Sequence, residues 1–232
     1  MKLSRAFLLV ALGLAVRPAG ASMRPAPARE DRSIQAQLEA MGELVRAGKI
    51  RYVGVSNETP WGVAEFVKQA ELHGLPRIAT IQNPYNLLNR SFEQGLDEAC
   101  FRTDVSLLVY SPLAFGQLTG KYLGGDLAHP VFNAQAKGRL TRFPPDWSPR
   151  YLRPESLAAA ARYVTLAREH GLSPATLALA WSYSRWFAAS TIIGATSLEQ
   201  LRENIDAWQT PLPEAATAAV ARIHAEIHNP AQ

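Results

Sequence analysis

A spacing constrains this chain more than anything else in it. Three apolar runs suited to strands, at residues 50–55, 78–82 and 105–110, begin about 27 residues apart, with helix-periodic sequence between them. Parallel strands need a crossover of a dozen or more residues, usually a helix. The pattern therefore predicts βαβ units and an α/β fold built on a parallel sheet. The run 105–110 is almost continuously apolar, as a strand buried on both faces should be. Local punctuation supports these divisions. Gly48 closes a helix before the first strand, and Thr59-Pro60 reads as an N-cap with proline at the first helical position. Ser91 with Gln94 reads as a capping box opening a helix over 92–102.

Downstream, helices are expected at 154–170 and from Ser173-Pro174 to about Phe187. A strand follows at 190–194, then a capping box at Ser197–Gln200 over helix 198–208, and a last amphipathic helix at 213–228. Residues 114–150 show neither period. A loop of that length in a compact domain is usually functional or disordered. The count is four strands, and a closed barrel of this type needs eight.

Charge narrows the function class. Residues 1–32 hold six basic and two acidic residues, so the whole formal charge of +4 lies there. The remaining 18 basic and 18 acidic residues cancel. A body without a net basic field argues against nucleic acid as a partner. Residues 1–22 carry Lys2 and Arg5, an apolar run over 6–16, and small residues at 19–21, the pattern of a secretory signal. The run is too short for a membrane anchor. A misplaced start codon or broken reading frame accounts equally well for residues 1–32, and both readings stand. Cys100 is the single cysteine. It excludes an intramolecular disulfide and reads as a packed small residue. His224 and His228, four apart, have metal-ligand spacing. No third ligand is near in sequence, and they are expected to be surface histidines.

Ligands of α/β proteins sit at the carboxyl ends of parallel strands. Those ends supply Ser56-Asn57, Gln82, Tyr110-Ser111-Pro112-Leu113 and Gly194-Ala195-Thr196. These are amides, hydroxyls and one aromatic ring, without an Asp, His or Lys placed for acid–base work. Asn57 and Gln82 can donate to and accept from a carboxamide. Tyr110 offers a face to a planar ring, and the start of helix 198–208 offers N–H groups to a phosphate. Together they point to a nicotinamide dinucleotide.

The stretches 48–57, 81–90, 110–122 and 193–204, in this order, resemble the aldo-keto reductase superfamily, most closely the bacterial branch related to potassium-channel β subunits. The resemblance runs from about Ser33 to the C-terminus. It implies a (β/α)8 TIM barrel that binds NADP(H) in extended form and reduces carbonyl compounds. By resemblance, Ser56, Asn57 and Gln82 hold the nicotinamide carboxamide, and Tyr110 stacks on its ring. Ser111, Leu113 and Lys121 line the pyrophosphate path, Arg139 reaches a phosphate, and Thr196, Gln200, Glu203 and Asn204 hold the adenosine end. Some branches carry a basic residue where Gln200 stands, so the choice between NADP and NAD stays open.

The family's catalytic Asp, Tyr, Lys and His belong to strands that precede the one at Ile50, and nothing before Ser33 resembles those strands. The expectation is therefore a partial barrel of about the last four β/α units over residues 33–232, with a non-barrel leader at 1–32. It would derive from a cytoplasmic enzyme and lack the catalytic tetrad. The alternative is a non-catalytic half-barrel that binds nucleotide, or associates with itself or another half-barrel through open sheet edges. A third reading is an exported protein without a cofactor, if the leader is genuine. A carbonyl substrate is expected only where an N-terminal half completes the barrel.

Overall fold

The computed structural model describes residues 33–144, 146 and 148–232. The leader expected at 1–32 lies outside them. The described chain divides into two compact units, each assembled from two stretches of sequence. The first holds residues 33–83 and 95–107, and the second holds 84–94 and 108–232.

In the first unit, α1 (Ile34–Arg46) leads to β1 (Val53–Ser56), α2 (Pro60–His73), β2 (Ile78–Pro84) and α3 (Leu96–Thr103). Ser33 caps α1, accepting the Ala36 N–H at 3.1 Å. β1 starts three residues later than the apolar run suggested. Lys49 N–H and Ile50 N–H both bond back to Leu44 O, so these residues close the helix before any strand pairing begins. β1 and β2 pair in parallel with an irregularity between Val53 and Gly54, Gly54 standing opposite Thr80. A Cβ on Gly54 would lie 2.5 Å from Thr80 Oγ1, so only glycine allows the strands this approach. Thr59 caps α2 as expected, accepting the Gly62 N–H at 3.0 Å. Val63, Phe66, Val67 and Ala70 form the buried face of α2.

The helix expected at 92–102 is corrected. Residues Ser91–Glu93 form a 3-10 turn, and α3 begins only at Leu96. Gly95, at φ 95°, breaks the path between them, and Ser91 Oγ bonds Asn89 Oδ1 instead of capping a helix. Cys100 is buried in α3, and burial pushes its thiol up to about 11, which leaves it a packing residue.

β3 (Ser106–Tyr110) starts in the first unit and ends in the second. Leu107 and Val109 are buried and the residues between them are half-exposed, so this strand has one buried face, not two. The segment without period holds small elements. They are a 3-10 stretch Ala114–Thr119, an antiparallel pair β4 (Leu123–Gly124) and β5 (Val131–Phe132), and α4 (Arg139–Arg142).

α5 (Pro154–Glu169) and α6 (Pro174–Tyr183) follow, α6 capped by Ser173. α6 stops short of Phe187. β6 (Ala188–Thr191) comes next and sits at the end of the strand order β1-β2-β3-β6, with Gly194 beyond it. α7 (Leu198–Asp206) and α8 (Glu214–Glu226) complete the chain. Helices separate β1 from β2 and β2 from β3, and α5 and α6 precede β6, the order of helix and strand expected for an α/β protein. Among the described residues, no helix is long and apolar enough to cross a membrane.

Candidate functional site

In the first unit, the polar ends of β1 and β2 are linked. Ser56 Oγ donates to Gln82 O at 2.9 Å, and Asn57 Nδ2 donates to Ser56 Oγ at 2.9 Å. The Asn57 N–H reaches Asn83 Oδ1 at 2.8 Å and Gln82 O at 3.2 Å. Asn57 takes φ 58°, a left-handed conformation that asparagine tolerates better than most residues. The structure thus brings together Ser56, Asn57 and Gln82, and adds Asn83, which sequence reasoning passed over. An asparagine one residue beyond a strand-end glutamine was the available signal.

In the second unit, β3 delivers Tyr110, half-buried, and Ser111 at φ 55°. The buried Asn86 holds this turn, donating from Nδ2 to Ser111 O at 3.0 Å. Leu113 O accepts the N–H groups of Gly116 and Leu118, which winds the chain toward Lys121. The Lys121 side chain packs against two glycines. A Cβ on Gly116 would meet Lys121 Nζ at 3.2 Å, and one on Gly138 would meet it at 2.7 Å. Gly138 also leaves room for Tyr122 Oη, which accepts the Leu140 N–H at 3.0 Å. Next in sequence, the Arg139 guanidinium lies 4.7 Å from the Phe115 ring centre. Lys121 on its glycines and Arg139 on its aromatic ring are each a cation held by packing, chemistry that suits an anionic group.

At α7, Ser197 Oγ accepts the Gln200 N–H at 3.3 Å as a cap. The reciprocal half of the expected capping box is absent. Gln200 Oε1 turns instead to the Thr196 N–H at 2.9 Å and Thr196 Oγ1 at 3.1 Å. The backbone donors at this helix start are thereby partly satisfied from within. Asn204 is buried and donates from Nδ2 to Gly194 O at 3.2 Å. Glu203 accepts a hydrogen bond from Ser173 Oγ. Thr196, Gln200 and Asn204 are thus brought together around residues 194–196, whereas Glu203 is tied to the cap of α6.

A second polar group in this unit escaped the sequence reading. Glu93 accepts from Arg90 Nε at 2.9 Å, from Arg90 Nη2 at 2.6 Å, and from Tyr85 Oη. Tyr85 stacks on Trp181 at 5.1 Å between ring centres, with Arg90 at 5.2 Å from the same tryptophan ring. Burial pushes the Glu93 carboxyl up, but the hydrogen bonds of Arg90 and Tyr85 outweigh it and hold it below the usual range. An arginine and a glutamate three residues apart were the available signal.

His224 is half-buried, which corrects the expectation of a surface residue. Its Nδ1 is buried without a partner, and burial, with Arg90 and His228 nearby, lowers its pKa to about 4. His228 is exposed and lies 3.1 Å from Gln94 Nε2.

A parallel β1–β2 pair with helices between its strands and polar residues at its strand ends is the build of an α/β protein. The chain belongs to the aldo/keto reductase family, whose sequence model matches residues 22–225. It is 50% identical to Protein tas of Escherichia coli K12 over 188 residues, which cover 81% of this chain and 51% of that one. An aldo-keto reductase of Babesia bovis is 41% identical over 176 residues, covering 74% of this chain and 59% of its own. L-glyceraldehyde 3-phosphate reductase of E. coli K12 is 31% identical over 179 residues, covering 77% and 50%. The chain therefore spans about half the length of the curated relatives it matches.

Proposed function

We propose that this chain is the cofactor-holding part of an NADPH-dependent reductase of aldehydes or ketones. In this reading it is the last four β/α units of a (β/α)8 barrel, and it acts in the cytoplasm, where NADPH circulates. The observation that carries the reading is the linked set Ser56, Asn57 and Gln82, two amides and a hydroxyl fixed at the ends of adjacent parallel strands. That set suits a carboxamide, which needs a donor and an acceptor side by side. Tyr110 would lie against the nicotinamide. Ser111, Leu113, Lys121 and Arg139 would hold the phosphates, and Thr196, Gln200, Glu203 and Asn204 the adenosine end.

Bound NADPH supplies the hydride. The developing alkoxide then needs a positioned acid, and this chain's strand ends carry no carboxylic acid, lysine or histidine. In this reading those groups come from polypeptide outside residues 33–232. The same observation favours a second reading, a half-barrel that binds nucleotide without catalysis.

Titration of the full chain with NADPH and with NADH, followed by tryptophan fluorescence, tests the cofactor reading. Saturable quenching is expected, with Lys121→Met raising Kd for NADPH by about tenfold, as loss of one phosphate contact near 1.4 kcal/mol requires. Folded protein that shows no saturable response to either nucleotide would overturn the reading. Carbonyl reduction by the full chain alone would remove the need for an outside acid and exclude the second reading.

A further inference from the structure

We propose that a cavity in the second unit binds a small neutral aromatic compound carrying an O–H or N–H donor, a phenol or an indole. The cavity lies where the ends of α6 and α7 meet the loop leading into α8. It holds about 380 Å³. Ligand pockets run from about 300 to 1,000 Å³, so this one suits a compound of one or two rings. None of its lining residues is among those proposed to hold NADPH.

One wall is aromatic. Trp208, in the 3-10 turn Ala207–Gln209, stands edge-to-face on Tyr183 with 5.4 Å between ring centres. Trp208 is nevertheless 69% exposed. The fold leaves much of its indole uncovered beside the cavity, and a second flat ring packed there would remove that apolar surface from water.

The hydroxyls around the cavity decide the ligand's polar group. A helix leaves its last carbonyls without partners inside the helix. Here hydroxyls serve them: Ser184 Oγ donates to Trp181 O at 2.8 Å, Tyr183 Oη to Asn204 O at 2.9 Å, and Thr210 Oγ1 to Asp206 O at 3.0 Å. On α8, Thr217 Oγ1 donates to Pro213 O at 3.4 Å. A hydroxyl has one proton to give and two lone pairs to offer. All four have given their proton to main chain, and Ser184 Oγ also accepts from Arg185 Nη2 at 3.1 Å. Thr210 and Thr217 are left as acceptors, so the ligand has to bring the donor.

Charge disfavours an ion of either sign. Among the described residues no carboxylate lines the cavity, and Arg185 does, which opposes a cation. An anion would face hydroxyl lone pairs and the carbonyl ends of α6 and α7, the negative ends of their dipoles. The Arg185 guanidinium is also engaged, on Ser184 and 5.0 Å from the Trp181 ring centre. A neutral ring with one donor meets every one of these conditions.

The test titrates the full chain with phenol, anisole, indole, N-methylindole and benzoate, followed by ligand-observed saturation transfer and by amide and indole chemical shifts. Phenol and indole should bind about fivefold more tightly than their methylated counterparts, the worth of one hydrogen bond, and should shift residues 183–185, 208–212 and 217. Trp208→Ala should weaken all binding about tenfold, with circular dichroism confirming the fold, because the side chain is exposed. Thr210→Val with Thr217→Val should close the gap between phenol and anisole while leaving anisole binding unchanged. Saturating NADPH should not displace phenol, which separates this site from the cofactor reading. Equal binding of phenol and anisole, tighter binding of benzoate, indifference to Trp208→Ala, or displacement by NADPH would each overturn the proposal.

Discussion

Glu93→Ala isolates the buried network of the second unit. The substitution deletes the acceptor of three hydrogen bonds, two from Arg90 and one from Tyr85. Arg90 and Glu93 are 14% and 26% exposed, so water re-solvates the stranded guanidinium only in part. Removing one partner of a buried ion pair costs about 3–5 kcal/mol. The remaining exposure places this pair at the lower end, near 3 kcal/mol, to which the buried Tyr85 hydroxyl adds about 1 kcal/mol when left without an acceptor. We expect a loss of roughly 4 kcal/mol. Glu93→Gln keeps the shape and one acceptor oxygen, and should lose less than half of that. The control is Glu98→Ala, which removes an exposed partner of Arg102 at 2.9 Å and should cost below about 0.5 kcal/mol. Urea denaturation followed by circular dichroism measures all three. Because Glu93 titrates below the usual carboxylate range, its contribution is present above the unfolded-state pKa and disappears as pH falls through the folded value. Equal losses for Glu93→Ala and Glu98→Ala would refute the argument that burial makes this pair important.

Two further perturbations follow from the same unit. His224 has a folded pKa near 4 against about 6.5 for an ordinary histidine, so the unfolded state takes up a proton the folded state refuses between those values. Stability should therefore fall as pH drops from about 6.5 to 4, and His224→Gln should flatten that slope in denaturation midpoints measured across the range. Gly138→Ala places a Cβ within 2.1 Å of Tyr122 Oη and 2.7 Å of Lys121 Nζ. It should lower stability by about 1–3 kcal/mol through overpacking and weaken NADPH binding alongside, both read from one set of fluorescence titrations and melts.

What was legible in the sequence was what is decided locally. Thr59, Ser173 and Ser197 cap their helices because a hydroxyl and an N–H three residues on need nothing else. The Ser91 capping box failed because Gly95 turns the chain, and because Arg90 and Glu93 are held by Tyr85 and Trp181. No window of sequence joins residue 90 to residue 181. The strand-end residues 56, 57 and 82 were recognised by type, but their bonding, with Asn83 completing it, depends on the register of β1 against β2. Gln200 was legible as polar and close to Thr196. The lowered pKa of His224 owes part of its shift to Arg90, far earlier in the sequence.

The turn at residues 86–93 is closed by the last residues of the chain. Asn229 Oδ1 accepts the Arg90 N–H at 2.7 Å, the Ala231 N–H donates to Leu88 O at 3.0 Å, and Pro230 O accepts from Ser156 Oγ at 3.0 Å. During synthesis this turn emerges well before the residues that satisfy it. At ribosomal speeds of about 5–20 residues per second, the gap lasts on the order of ten seconds. Leu88 O, the Asn89 amide and the Arg90 N–H therefore wait in water, polar and unclosed, while β1, β2 and their helices are already free to pair. Closure of this turn has to follow synthesis of residues 229–231, and a ribosome-bound nascent chain stalled before residue 229 should expose the turn to protease that the released protein resists.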